Sequence, residues 1–142
     1  MIRVVVAVVL SSALLGAALP SAERADRERN AALATAELEA IADRAARLAA
    51  ENDPVAPGRT PAAITVSIDV PQPTFADGGR VRIRRDELRW EPIDGPNRSV
   101  GLPVELRVES SIVLTDRARI RLSLRRIDGD AVVVARPLDP SV

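Results

Sequence analysis

Residues 4–19 read VVVAVVLSSALLGAAL and pass through Pro20 directly into residues 21–51, SAERADRERNAALATAELEAIADRAARLAAE. The first stretch is apolar apart from Ser11, Ser12 and Gly16; the second is an alanine-rich, charged sequence with helical periodicity. At 1.5 Å per residue the apolar run makes about 24 Å of helix, somewhat short of a ~30 Å hydrocarbon core unless Met1 and Ile2 contribute. Two readings fit. In one, Val4, Val5, Val6, Val8, Val9, Leu10, Leu14, Leu15 and Leu19 stay in the bilayer as an anchor. In the other, Met1 to Arg3 is the n-region of a secretory signal cut near Gly16, Ala18 or Ala22. Uninterrupted passage into a second helix favours retention, with Pro20 expected to kink the rod there. Arg3 and the terminal amine place the N-terminus inside, whereas Arg24, Arg27 and Arg29 count the other way and are neutralised by Glu23, Asp26 and Glu28. The expected location is the cell membrane, single-pass, with the remainder extracytoplasmic.

Composition narrows the chemistry. The chain has 142 residues, zero net charge, and no histidine, cysteine or tyrosine; every cationic side chain is arginine. A histidine base, a lysine Schiff base, a cysteine nucleophile and thiolate metal ligands are therefore all excluded. No enzyme activity, cofactor, metal or small-molecule substrate is expected. Charge is unevenly placed: acidic residues exceed arginine by about three over residues 21–53, and arginine leads by about five over residues 80–126. An acidic helix docked on a basic sheet satisfies both.

From Ser21, a potential N-cap if the helix restarts after Pro20, the second helix extends to about Glu51. Leu33, Leu38, Ile41, Ala45 and Leu48 form its apolar stripe, available either to the chain's own head or to neighbouring stalks. Asn52-Asp53-Pro54 stops it, and residues 54–61 make a proline-rich connector. The period then changes to two. Ile64, Val66, Ile68 and Val70 define a strand, as do Val81 with Ile83, Leu88 with Trp90, residues 102–108, and residues 118–124. Asp128-Gly129 is a hairpin turn leading into residues 131–136, and residues 138–142 form a tail expected to fray. The fold class is thus α+β: residues 1–20 an anchor, 21–53 a stalk helix, 54–61 a connector, and 62–137 a small antiparallel domain of about five or six strands.

The polar features admit a functional and a plain reading each. Arg82, Arg84, Arg119 and Arg121 could make an anion-binding face, or pair across strands with Glu105, Glu109 and Asp86 on a solvated one. Nucleic acid is not expected as a partner, because Trp90 and Phe75 are the only aromatics and build no stacking platform. Asn97-Arg98-Ser99 matches the N-glycosylation sequon in a loop, which matters only for an exported head. Asp86 with Glu87 and Asp128 with Asp130 sit at turns, where acidic residues are common in any case.

A short basic N-terminus, an apolar helix entering an amphipathic helix through a proline, and a small antiparallel sheet together resemble the layout of type IV pilins and pseudopilins. Met1-Ile2-Arg3 with the Val/Ala/Leu run, the Arg/Ala/Glu helix and Asn52-Asp53-Pro54-Val55 further resemble a family of small pilin-like proteins of halophilic archaea with no assigned activity. The resemblance implies a partner in the membrane, either other pilin-like subunits or the platform of a pilus or secretion apparatus. Pilins carry a glutamate early in the apolar helix and are processed between a basic and a small residue. Here Arg3 precedes Val4 and the first carboxylate is Glu23, so the resemblance implies an accessory rather than a main subunit. The alternative is an exported or anchored binding module that uses the arginine face.

Overall fold

The structure, a computed structural model, describes residues 2–138. Its first element, α1 (Ile2–Glu51), is one helix of 50 residues, about 75 Å long at 1.5 Å per residue. Pro20 lies inside it, and no second helix begins at Ser21. Proline lacks one backbone N–H, and its ring crowds the carbonyl four residues back. That residue is Gly16, with nothing within 4 Å of where a Cβ would stand. Ala17, Ala18 and Leu19 before the proline, and Ala22, Glu23 and Arg24 after it, are good helix formers that carry the helix across. At the far end the Asn52 amide donates to the Leu48 carbonyl at 3.0 Å, capping the last turn before Pro54.

Eight strands follow: β1 (Ala63–Ile68), β2 (Gly79–Arg84), β3 (Glu87–Pro92), β4 (Arg98–Gly101), β5 (Leu106–Val108), β6 (Ile112–Leu114), β7 (Ala118–Ile127) and β8 (Asp130–Pro137). They form two four-stranded sheets, ordered β1-β7-β8-β5 and β4-β3-β2-β6, where the sequence led us to expect about five or six strands. All pairs are antiparallel except β5 with β8, which is parallel. The long run expected over residues 102–108 is broken, because Pro103 has no N–H to give to a ladder. Leu102 and Val104 still pack against the core, but as irregular chain crossing between the sheets, and only Leu106–Val108 pairs. β4 and β6 are too short to show a period. The Asp128-Gly129 turn forms as expected, both residues having positive φ (55° and 99°), the conformation a two-residue hairpin of this hand demands. The second hairpin closes at Arg85-Asp86. Asp86, at φ 56°, accepts the Leu106 N–H on Oδ1 at 2.8 Å and ties this sheet to β5 of the other. Pro137 ends β8, and the Leu138 N–H donates to the Arg119 carbonyl; the rest of the expected tail, 139–142, lies outside the described residues.

The apolar faces of both sheets close on one face of α1 in a single core. The helix contributes Ala34, Leu38, Ile41, Ala42, Ala45 and Leu48; the sheets contribute Val66, Ile68, Val81, Ile83, Leu88, Trp90, Ile120, Leu122 and Leu124 among others. Ala34, Leu38, Ile41, Ala45 and Leu48 recur at alternating spacings of four and three, the period of one helical face. Leu33 is the correction to the expected stripe. It stands about 100° around the helix from Ala34 and remains 47% exposed.

This difference is measurable in denaturant, with Trp90 emission as the reporter of unfolding. Leu38→Ala should lose about 2–5 kcal/mol of head stability. Leu33→Ala should stay within about 0.5 kcal/mol of the parent. Equal losses would contradict the helical face described here.

Candidate functional site

The N-terminal part of α1 stands clear of the head. An 18-residue window in it has a mean hydropathy of 2.3 and no residue buried. Val4, Val5, Val6, Val8, Val9, Leu10, Leu14, Leu15 and Leu19 are all exposed. Because the helix does not break at Pro20, the uncharged helical stretch extends from Val4 to Ala22, about 28 Å, which removes most of the shortfall against a ~30 Å hydrocarbon core. The helix is long and apolar enough to cross a membrane. Its other half is already occupied: Leu38, Ile41, Ala45 and Leu48 lie in the core of the head. They are closed to neighbouring stalks unless the head opens.

The structure divides the four arginines singled out in the sequence. Arg82 and Arg84 alternate with the core residues Val81 and Ile83 on one sheet, whereas Arg119 and Arg121 alternate with Ile120 and Leu122 on the other. They do not form one face. Nor are the partners those expected for Arg82: Glu91, its diagonal neighbour on β3, accepts from Arg80 Nε at 2.7 Å and from an Arg82 amino group at 3.0 Å. Hydrogen bonds from Arg82 and then Arg80 hold the Glu91 carboxyl below the usual glutamate range. Glu87 pairs with Arg89 on the same sheet, Glu105 with both Arg85 and Arg107, and Glu109 with Arg136. Among the described residues, Arg84 and Arg121 have no ion-pair partner, and they stand on different sheets. Asn97 is exposed in the loop joining β3 to β4, sterically open to modification.

The densest polar construction was not legible in the sequence. It lies where the loops 71–78 and 93–97 meet the helix at the base of the head. Asp26 Oδ2 accepts three successive backbone N–H groups, from Thr74 and Phe75 at 2.8 Å each and Ala76 at 3.1 Å. The Phe75 and Ala76 bonds chiefly hold its carboxyl below the usual aspartate range, with smaller help from Thr74 and Arg29. The Ile93 N–H in turn donates to the Gly78 carbonyl at 2.8 Å, joining the two loops. Gly79 follows because the Trp90 ring lies against it: an added Cβ would stand 2.5 Å from the indole. Between the helix and these loops opens a cleft of about 290 Å³, lined by Arg24, Arg27, Asn30, Trp90, Asp94 and Arg98 among others. Asn30 is only 7% exposed, and among the described residues its side-chain N–H₂ has no acceptor. Glu28 and Asp77 also line the cleft, yet among the described residues no group of three or more carboxylates comes together as a metal would require.

The Asp26 clamp predicts a pH dependence. A carboxylate with a lowered folded-state pKa contributes stability that is complete above its unfolded value, about 3.9, and is lost as pH falls through the folded value. The difference in unfolding midpoint between the parent and Asp26→Ala should therefore be largest at neutral pH and shrink as the pH falls below the unfolded value and through the lower folded one. A difference that does not change with pH would show that the three amides do not depend on the charge.

Comparison with curated proteins and with solved structures finds no match. A family model, described as a domain of unknown function (DUF7311), matches residues 1–138, a span that takes in the apolar run, the whole of α1 and all eight strands. With anchor-length helix, clamp and both sheets all inside that match, the chain belongs to the DUF7311 family.

Proposed function

We propose that this chain is a membrane-anchored, pilin-like accessory component of a pilus or secretion apparatus, with its β head held in the extracytoplasmic space. The observation that carries the reading is the division of labour along a single uninterrupted helix. Its N-terminal window is apolar with no part buried, while its C-terminal half forms one wall of the head's core. A rod built this way carries orientation from lipid to head with no loop between them. Because the Leu38 to Leu48 face is taken up internally, the surface left for lateral packing is the apolar run itself, continued beyond the first charges by exposed Leu33. Small residues four apart on one face, Ser12 with Gly16 and Ala13 with Ala17, would let helices approach closely in lipid. A binding role for the arginines has less support, since Arg82 is neutralised by Glu91 and the four candidates are split between two sheets.

Photo-crosslinking in native membranes tests the proposal, with the reactive amino acid placed at Leu14, at Leu33, or at Thr60 on the exposed connector. The reading predicts protein adducts from Leu14 and Leu33, with single-pass subunits or a multispanning platform protein as partners, and none from Thr60. Lipid adducts alone from Leu14, with no protein adduct from Leu33, would contradict it.

A further inference from the structure

Four large apolar side chains outside the N-terminal run are exposed among the described residues: Leu33, Phe75, Ile93 and Leu138. Two of them, Phe75 at 59% and Ile93 at 72%, sit on the two loops that are bonded to each other and to the helix. Loop tips of this kind are usually polar, because an exposed aromatic or isoleucine gains nothing from water. Their height along the helix is fixed. Asp26, which holds the amides of Thr74, Phe75 and Ala76, lies about 10 Å along the axis from Leu19, and about 6 Å from Ala22, the last uncharged residue. A bilayer's head-group layer is about 5–8 Å thick on each side of the hydrocarbon.

We infer that Phe75 and Ile93 form a second membrane contact, a foot on the base of the head that enters the interfacial layer of the same bilayer that α1 crosses. The inference rests on the anchoring reading above. The occupant is lipid rather than protein, because α1 runs unbroken from the apolar window to the residue that fixes the foot. Arg24, between Ala22 and Asp26, and Arg27, one residue past Asp26, lie about 3 and 7.5 Å along the axis from Ala22, heights that fall within a head-group layer and suit anionic lipid phosphates. The foot has a mechanical consequence. One transmembrane helix is free to rotate about its own axis, and a contact to one side of that axis fixes both the rotation and the tilt of the head. The Asp26 clamp is what makes the contact rigid, since without it residues 74–76 would hold the apolar tip on a free loop.

The chain has no cysteine, so single spin labels report unambiguously. The full chain is reconstituted in phosphatidylcholine–phosphatidylglycerol vesicles with a label at Phe75→Cys, Ile93→Cys, Leu10→Cys or Thr60→Cys. Trp90 emission confirms that each variant is folded. Accessibility to oxygen, which partitions into lipid, is compared with accessibility to a water-soluble nickel complex. The expected result is a deep label at Leu10→Cys, shallow interfacial labels at Phe75→Cys and Ile93→Cys with nickel accessibility several-fold below Thr60→Cys, and a fully aqueous Thr60→Cys. If Phe75→Cys and Ile93→Cys are as aqueous as Thr60→Cys while Leu10→Cys is deep, the foot is overturned and the anchor stands. If they are shielded from both reagents, the patch is covered by protein and the foot is likewise overturned. If Leu10→Cys is aqueous, anchor and foot fall together.

Discussion

Neither sheet of this protein can close a core alone. Each has four strands with one apolar face, and a head of this size buries too little surface to be stable without further covering. The covering comes from α1, whose Ala34, Leu38, Ile41, Ala45 and Leu48 face both sheets at once. The helix cannot therefore be exchanged for a flexible tether. Its alanines matter as much as its leucines, because small side chains bring the backbone close enough for strands of both sheets to reach the same stripe. Fixing that stripe fixes the direction of the whole rod, and so of the apolar segment continuous with it.

The polar chemistry is arranged around the same constraint. The outer faces of the sheets are dressed with arginine, and most of that charge is answered locally: Glu91 serves two arginines, Glu105 serves two more, and Asp69 pairs with Arg117. Such exposed pairs contribute little stability individually. Their effect is near-neutrality: from residue 54 onward fourteen arginines stand against twelve carboxylates. The base of the head is different, for there a single carboxylate on the helix gathers three backbone amides of one loop. That interaction sets where the loops lie along the rod, and with them the exposed Phe75 and Ile93.

Much of this was legible in the sequence wherever a period persisted. The helix, β1, β2 and β7 announce themselves through runs such as Ile64-Val66-Ile68 and Ile120-Leu122-Leu124, and Asp128-Gly129 supplies the backbone freedom its turn requires. Legibility failed where a run was short or a local rule was outvoted. β6 has only three residues, β4 has a single large apolar residue in Val100, and Pro103 ends a strand that alternation alone would continue. At Pro20 the expected passage without a loop is what the structure has, since good helix formers on both sides and glycine one turn back let the helix continue, and no new cap forms at Ser21. Leu33 looked like part of the stripe because it is leucine, although helical geometry puts Ala34 in its place. The Asp26 clamp carried no sequence signal. Its partners are main-chain groups 48 to 50 residues away, and any residue but proline could have supplied them.

The account depends on one helix being at once a lipid-embedded rod and a wall of the head. Intact mass of the protein recovered from native membranes after carbonate extraction tests this most directly. The account predicts a pellet-bound species that retains the apolar run through Leu19 and carries a folded, protease-resistant head. A soluble species beginning after Leu19 would contradict it.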